Sequence, residues 1–351
     1  RLAGYEPLRI DWNWGKTWEE NQAAGALPDP DLLTASRFGT AALFPFSMLL
    51  LYLTGKRLTK TDTLTTCKQV NMLGWAGAVF LATNALILLH TRRAMAEGGL
   101  TFTVSLFIAS LVFCRKHPWL IAFSAALAFC AKQSTLPLSA VGLLAVLLYT
   151  HRPIQWKRLV IQLMLYVAIW VSILWLFNPF LWKYPVQSIQ AAITARQILL
   201  SEQTQGINQA LPEAALNSPG LVSLSLVVNQ FVLPPSIAEV GNYLAQTQAS
   251  AQTYLGNPLH QIFRGLIPGG IILAFSAVGF LYSIKLGLSK MEPDRIFWLL
   301  VNIAGILQFT ALATTITLPF QRYVIPMIPY SCLWLGICIQ QIAVKIFKRI
   351  C

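Results

Sequence analysis

Apolar residues run along this chain in long blocks separated by polar turns. The blocks fall near 38–55, 70–90, 99–114, 118–131, 135–150, 159–178, 263–284, 296–317 and 321–343. A helix that crosses a bilayer needs about 20 apolar residues, with a range of roughly 17–25, and several blocks reach that length. The three between 99 and 150 are shorter, which predicts tilted, half-spanning or re-entrant helices. Strands do not explain the blocks. Lipid admits only helices and closed barrels, and no two-residue alternation runs through them. The pattern predicts an all-α polytopic membrane protein, a helical bundle of about nine transmembrane or half-spanning segments.

Two stretches depart from the pattern. Residues 1–37 are polar and carry six acidic residues, so they read as a surface segment with local structure. Residues 179–262 are rich in Gln, Asn, Ser and Pro, with a single apolar patch at Leu221–Leu233. They predict a large ordered extramembrane loop of short helices, with Pro234-Pro235 interrupting any continuous helix there. The chain therefore divides into an outer segment 1–37, membrane helices over 38–178, the loop 179–262, and C-terminal membrane helices with a basic tail over 263–351. No internal repeat or long low-complexity tract is visible.

Composition agrees with this class. The 351 residues are 56% hydrophobic and only 11% charged, against roughly 25% charged in soluble proteins. Length alone suggests about two domains, but so few charges do not cover a soluble surface of that size. The net charge of +13 could signal a nucleic-acid partner, so the placement of the charges decides. Crossing the blocks in order puts 56–69, 115–117, 151–158, 285–295 and the tail after 343 on one side. That side holds 15 Lys/Arg (among them Lys60, Lys68, Arg115, Arg152 and Lys345) and three acids (Asp62, Glu292 and Asp294), a net of +12. The remainder is nearly neutral at +1. By the positive-inside rule the basic side is cytoplasmic. The charge is then a topology signal, and no nucleic-acid partner is expected. Six scattered cysteines without CxxC, and four histidines without ligand spacing, argue against a disulfide framework or a zinc site.

Charged groups near the bilayer core are costly and mark function. Lys132 sits in FCAKQSTLP between two short apolar runs, and a lysine there needs an anion. Glu97 closes the charged turn Arg92-Arg93-Ala-Met-Ala-Glu97, between apolar runs, and reads either as part of a solvated loop or as a group holding a metal or a substrate hydroxyl. Arg322 in LPFQRYVIPMIPY reads as an interfacial anchor or, from the fork geometry of guanidinium, as a phosphate ligand. Asp11, Glu19 and Glu20 read as surface charges. Topology puts these groups on the outer face. Cations and a carboxylate gathered there predict a phosphorylated, lipid-linked substrate, whose polyprenyl tail is admitted from the side of the bundle.

Four stretches, in order, resemble the GT-C membrane glycosyltransferases, in particular the bacterial dolichyl-phosphate-mannose–protein mannosyltransferase-like group. They are LLTASRFGTAALFPFSMLLLYLTGKRL, LLHTRRAMAEGGLTFTVSLF, IAFSAALAFCAKQSTLPLSAVGLLAVLL and FQRYVIPMIPY. The resemblance covers most of residues 30–345, through short and degenerate motifs. It implies inverting transfer of a sugar from a polyprenyl-phosphate carrier to a hydroxyl of a protein, lipid or glycan acceptor, at the extracytoplasmic face of a bacterial plasma membrane. By position, Glu97 matches the acidic residue of the second outer loop, as an acceptor-orienting group or the ligand of a divalent metal ion. Lys132 and Arg322 match cations at the donor phosphate, with Arg93 a further candidate. Glu stands at 97 where Asp is commoner. The family's principal acid lies in the first outer loop, and Asp11, Glu19 and Glu20 do not match its motif. The chain thus reads as N-terminally incomplete, with the first helix and that acid expected before Arg1. Two other readings stand beside this one. A transporter or flippase of lipid-linked or anionic solutes predicts inverted repeats and broken helices near the midplane. The third reading is a non-catalytic subunit of a membrane assembly.

Overall fold

A computed structural model gives the fold. It describes residues 13, 16–26, 29–59, 71–93, 96–150, 155–210, 216, 218–237, 244–291, 293–316, 318 and 320–350. Asp11, Lys60, Asp62, Lys68, Arg152 and Glu292 lie outside the described residues.

Helices account for every regular element among the described residues. In chain order they are α1 (Trp18–Ala23), α2 (Pro30–Thr59), α3 (Met72–Thr83), α4 (Ala85–Thr91), α5 (Ala96–Phe113), α6 (Ile121–Ala131) and α7 (Leu136–Tyr149). Then follow α8 (Trp156–Phe177), α9 (Pro185–Ala210), α10 (Pro219–Phe231), α11 (Leu244–Leu255), α12 (Leu266–Leu288), α13 (Arg295–Thr315) and α14 (Ile328–Ile350). Short 3₁₀ turns join several of them, the longest being Gln321–Met327 ahead of α14. Six helices among the described residues are long and apolar enough to cross a membrane, or seven if the bent pair α3–α4 counts as one span. The chain is an all-α polytopic membrane protein.

Several boundaries differ from the sequence pattern. α2 begins within the polar segment, at Pro30, and runs for 30 residues; its first turns are polar, so an apolar count starts too late. The block 70–90 is two helices bent by 59° at Asn84. The Asn84 carboxamide oxygen accepts from the Leu86 and Ile87 amides, at 3.1 and 3.3 Å, and so starts α4 afresh. Of the three short blocks, α5 is long enough to span, while the helices around 118–131 and 133–149 are shorter. The stretch 179–262 is more regular than a loop of short helices. α9 runs for 26 residues, and α10 packs into the bundle against α12, α13 and the 3₁₀ turn before α14. α10 ends at Phe231, ahead of Pro234-Pro235. Arg264 closes its C-terminus by donating to the Asn229 and Leu233 carbonyls at 2.8 and 3.3 Å. Burial holds that guanidinium down to about 10.

α5 is the central helix. It is apolar on all sides, and nearly all its residues from Leu100 to Val112 are buried, as expected for a helix with no polar face. α8 and α12 lie at the periphery. Their apolar side chains, such as Met164, Val171, Ile267 and Leu281, are exposed, as expected for helices that face lipid. Glycine lets α12 and α14 touch: a Cβ on Gly279 would overlap the Trp334 carbonyl oxygen, the close approach that small residues permit between membrane helices. At one end of the bundle Arg115 reaches Asp294 at 2.5 Å, with Asp294 3% exposed. Two of the loops assigned to the basic side by counting, 115–117 and 285–295, therefore meet.

Candidate functional site

Glu97 is not a loop residue. It lies in the first turn of α5, where the helix dipole favours a carboxylate. The turn that delivers it is tied to α2. Thr40 Oγ1 donates to the Arg93 and Thr91 carbonyls at 3.0 and 3.3 Å, and Gly98 passes so near the Thr40 carbonyl that a Cβ would sit 3.0 Å from its oxygen. Glu97 is thereby held at the bundle edge with only 5% of its surface exposed.

Lys132 caps the C-terminus of α6 in extended backbone, φ −160° and ψ 125°. Its amide donates to the Ala128 carbonyl at 3.0 Å, and its own carbonyl accepts from Thr135 Oγ1 at 2.9 Å. Gln308 Nε2 donates to the Ser134 carbonyl at 2.9 Å, which fastens this hinge to α13. The hinge aims the lysine inward. Lys132 Nζ lies 3.5 Å from Glu97 Oε1 and 5.0 Å from the Tyr323 ring centroid, within the range of cation–π attraction. The Arg322 guanidinium stands 5.2 Å from the Phe320 ring and 5.9 Å from the Tyr323 ring.

These groups open onto one cavity of about 570 Å³, lined by Glu97, Lys132, Ser134, Arg196, Arg322 and Tyr323 among others. Three cations face a single carboxylate there, and that carboxylate is engaged by one of them. Chemically the cavity suits an anion, with hydroxyl and aromatic groups beside the charges. Three residues singled out by sequence, Glu97, Lys132 and Arg322, come together although they are far apart in the chain. Arg93 is not among the lining residues; its Nη2 donates to the Ile237 carbonyl at 2.5 Å.

Two residues near the site carried little sequence signal. Arg196 comes from α9, where it and Glu202 are the only charged residues; a lone arginine in a polar stretch has nothing to distinguish it. His90, at the end of α4, is wholly buried, and neither ring nitrogen has a hydrogen-bond partner among the described residues. It lies in the field of Arg93, Arg322 and Lys132. Other polar residues behave structurally. Glu20 accepts from the Thr17 amide at 2.8 Å in the capping box of α1. Tyr254 stacks on His260 with centroids 3.9 Å apart, and burial pushes its phenol up against the opposing fields of Arg92 and Arg93.

A divalent metal would find one carboxylate among the residues of this lining. That carboxylate, Glu97, already faces Lys132, and no group of three His, Cys, Asp or Glu residues lies together among the described residues. Comparison of the chain with protein-family models, curated proteins and solved structures found no match.

Proposed function

We propose that the protein is an integral membrane glycosyltransferase that takes a sugar from a polyprenyl-phosphate carrier and transfers it to an acceptor hydroxyl, with the cavity on the extracytoplasmic side. The observation that carries this reading is the convergence of Lys132, Arg322 and Arg196 with Glu97 on one cavity within a membrane bundle. The donor phosphodiester carries one negative charge. As the acceptor hydroxyl gives up its proton to a base, its oxygen bonds to the anomeric carbon and the sugar–phosphate bond breaks, the departing polyprenyl phosphate gains a second. The cations stabilise the charge that grows in the transition state. Glu97 holds Lys132 and orients the acceptor hydroxyl. No acceptor base is assigned among the described residues, and no step runs through a metal.

A second feature supports an amphiphilic donor. An apolar groove of about 370 Å³ borders α13 at Gly305 and Phe309, while Leu312 of the same helix and Ile316, just past its end, line the cationic cavity. Spacings of four and three residues put Gly305, Phe309 and Leu312 on one stripe of α13. A lipid with its phosphate in the cavity has an apolar path along that stripe for its chain. The test is sugar transfer from a radiolabelled polyprenyl-phosphate donor in proteoliposomes. Transfer that Lys132→Ala abolishes is expected. Unchanged turnover in that variant rejects the phosphate role.

The transporter reading keeps one specific support, the 59° break between α3 and α4 at Asn84, since discontinuous helices build transporter sites. Flux of an anionic lipid or solute across proteoliposomes without covalent transfer would select it.

A further inference from the structure

α9 leaves the bundle and is covered by little protein. Over residues 185–200 only Ser188, Ala192 and Leu200 are even partly shielded. Helices in proteins owe most of their stability to a covered apolar face, and α9 has such a face. Val186, Ile189, Ile193 and Leu200 follow one another at spacings of three, four and seven, which is one stripe of the helix. Val186, Ile189 and Ile193 are 62%, 44% and 55% exposed. Gln187, Thr194 and Glu202 lie off the stripe on the far side; Ile198 and Leu199 are exposed apolar residues away from it, and Gln190 and Gln197 flank it.

The way the chain arrives at α9 says what covers the stripe. It comes from α8, a candidate span whose apolar side chains are largely exposed, through the 3₁₀ turn Pro179–Leu181. Trp182 Nε1 donates to the Trp175 carbonyl at 2.7 Å, and the two indoles lie 5.7 Å apart. Ser188 Oγ donates to the Phe180 carbonyl at 2.7 Å, which fixes the turn. Trp175, Trp182 and Tyr184 are all exposed, and Lys183 Nζ stands 5.3 Å from the Tyr184 ring centroid. Exposed Trp and Tyr beside a lysine at the end of a span are the composition of the membrane–water boundary. The apolar surface of α8 at Val171, Trp175 and Leu176 thus leads, through this boundary cluster, into the stripe of α9.

We propose that α9 lies in the plane of the bilayer surface, its stripe sunk into the boundary between headgroups and acyl chains. Arg196 and Glu202 cancel, so apolar contact and the aromatic boundary hold it, not attraction to anionic lipid. The next turns of the same helix bring Arg196 and Leu200 to the cationic cavity. The mouth of the cavity therefore opens at headgroup depth, where a lipid phosphate already lies. This placement does not depend on the chemistry performed inside.

The test uses the full chain in phosphatidylcholine nanodiscs, with spin labels at Ile193→Cys and Thr194→Cys and the labelled wild type as the baseline for native cysteines. Oxygen collides several-fold more often with the label at 193, a water-soluble nickel complex several-fold more often with that at 194, and added phosphatidylglycerol changes neither. Val186→Cys repeats the behaviour of 193 two turns earlier. Equal nickel access at 193 and 194 overturns the proposal, because the helix then stands in water. Exclusion of both probes at 193 also overturns it, because protein, a second copy included, then covers the stripe.

Discussion

Lys132→Met removes the cation opposite Glu97 while keeping an apolar stem of similar reach. The pair is set at 3.5 Å, with the lysine side chain 20% exposed and the glutamate 6%. Two unit charges about 4 Å apart attract by about 4 kcal/mol where the effective dielectric is about 20. Removing one partner of a buried pair costs about 3–5 kcal/mol, because the other charge stays out of water. The exposure of Lys132 discounts this to about 2–3 kcal/mol. At about 2 °C per kcal/mol for a chain of this length, the unfolding midpoint falls by about 4–6 °C. Glu97→Gln costs less, about 1–2 kcal/mol, since Lys132 keeps partial hydration and the Tyr323 ring. The double variant loses less than the sum of the two, because neither charge is then stranded. Thermal unfolding of the four proteins in one detergent, at several scan rates to separate irreversible loss, measures the cycle. Additive losses, or a Lys132→Met protein as stable as wild type, refute the pairing.

Arg196→Ala raises the donor KM in the transfer assay, and Arg196→Lys restores most of the loss, since a cation at the mouth is what the lining requires; equal effects of Ala and Lys would point to packing. Asp294→Asn leaves Arg115 short of its carboxylate at a bundle end where Asp294 is buried, and costs about 2 kcal/mol after discount for the partly exposed arginine, read as a lower midpoint with unchanged sugar transfer. Gly279→Val pushes α12 off the Trp334 carbonyl and costs about 1–3 kcal/mol, visible as thermal destabilisation that Gly279→Ala shows to a smaller degree.

The membrane class, the helices and most of their extents were legible along the chain. Apolar length and polar breaks are local properties, and a helix satisfies its own backbone within one segment whatever its neighbours do. Local rules failed where polar residues are helical: the early start of α2 at Pro30, the length of α9, and Glu97 inside α5. They also failed at Asn84, where one side chain restarts the helix within an unbroken apolar run.

Charge at membrane depth drew attention to Glu97, Lys132 and Arg322 one by one, because each is expensive unless something compensates it. That they share a cavity, that Arg196 joins them from α9, and that Arg93 turns instead to the Ile237 carbonyl are matters of packing. These residues come from α5, the α6–α7 hinge, α9 and the turn before α14. Nothing in the spacing of positions 97, 132, 196 and 322 encodes their meeting. The bundle brings them together because burying the apolar faces of their helices turns their polar ends toward one cavity.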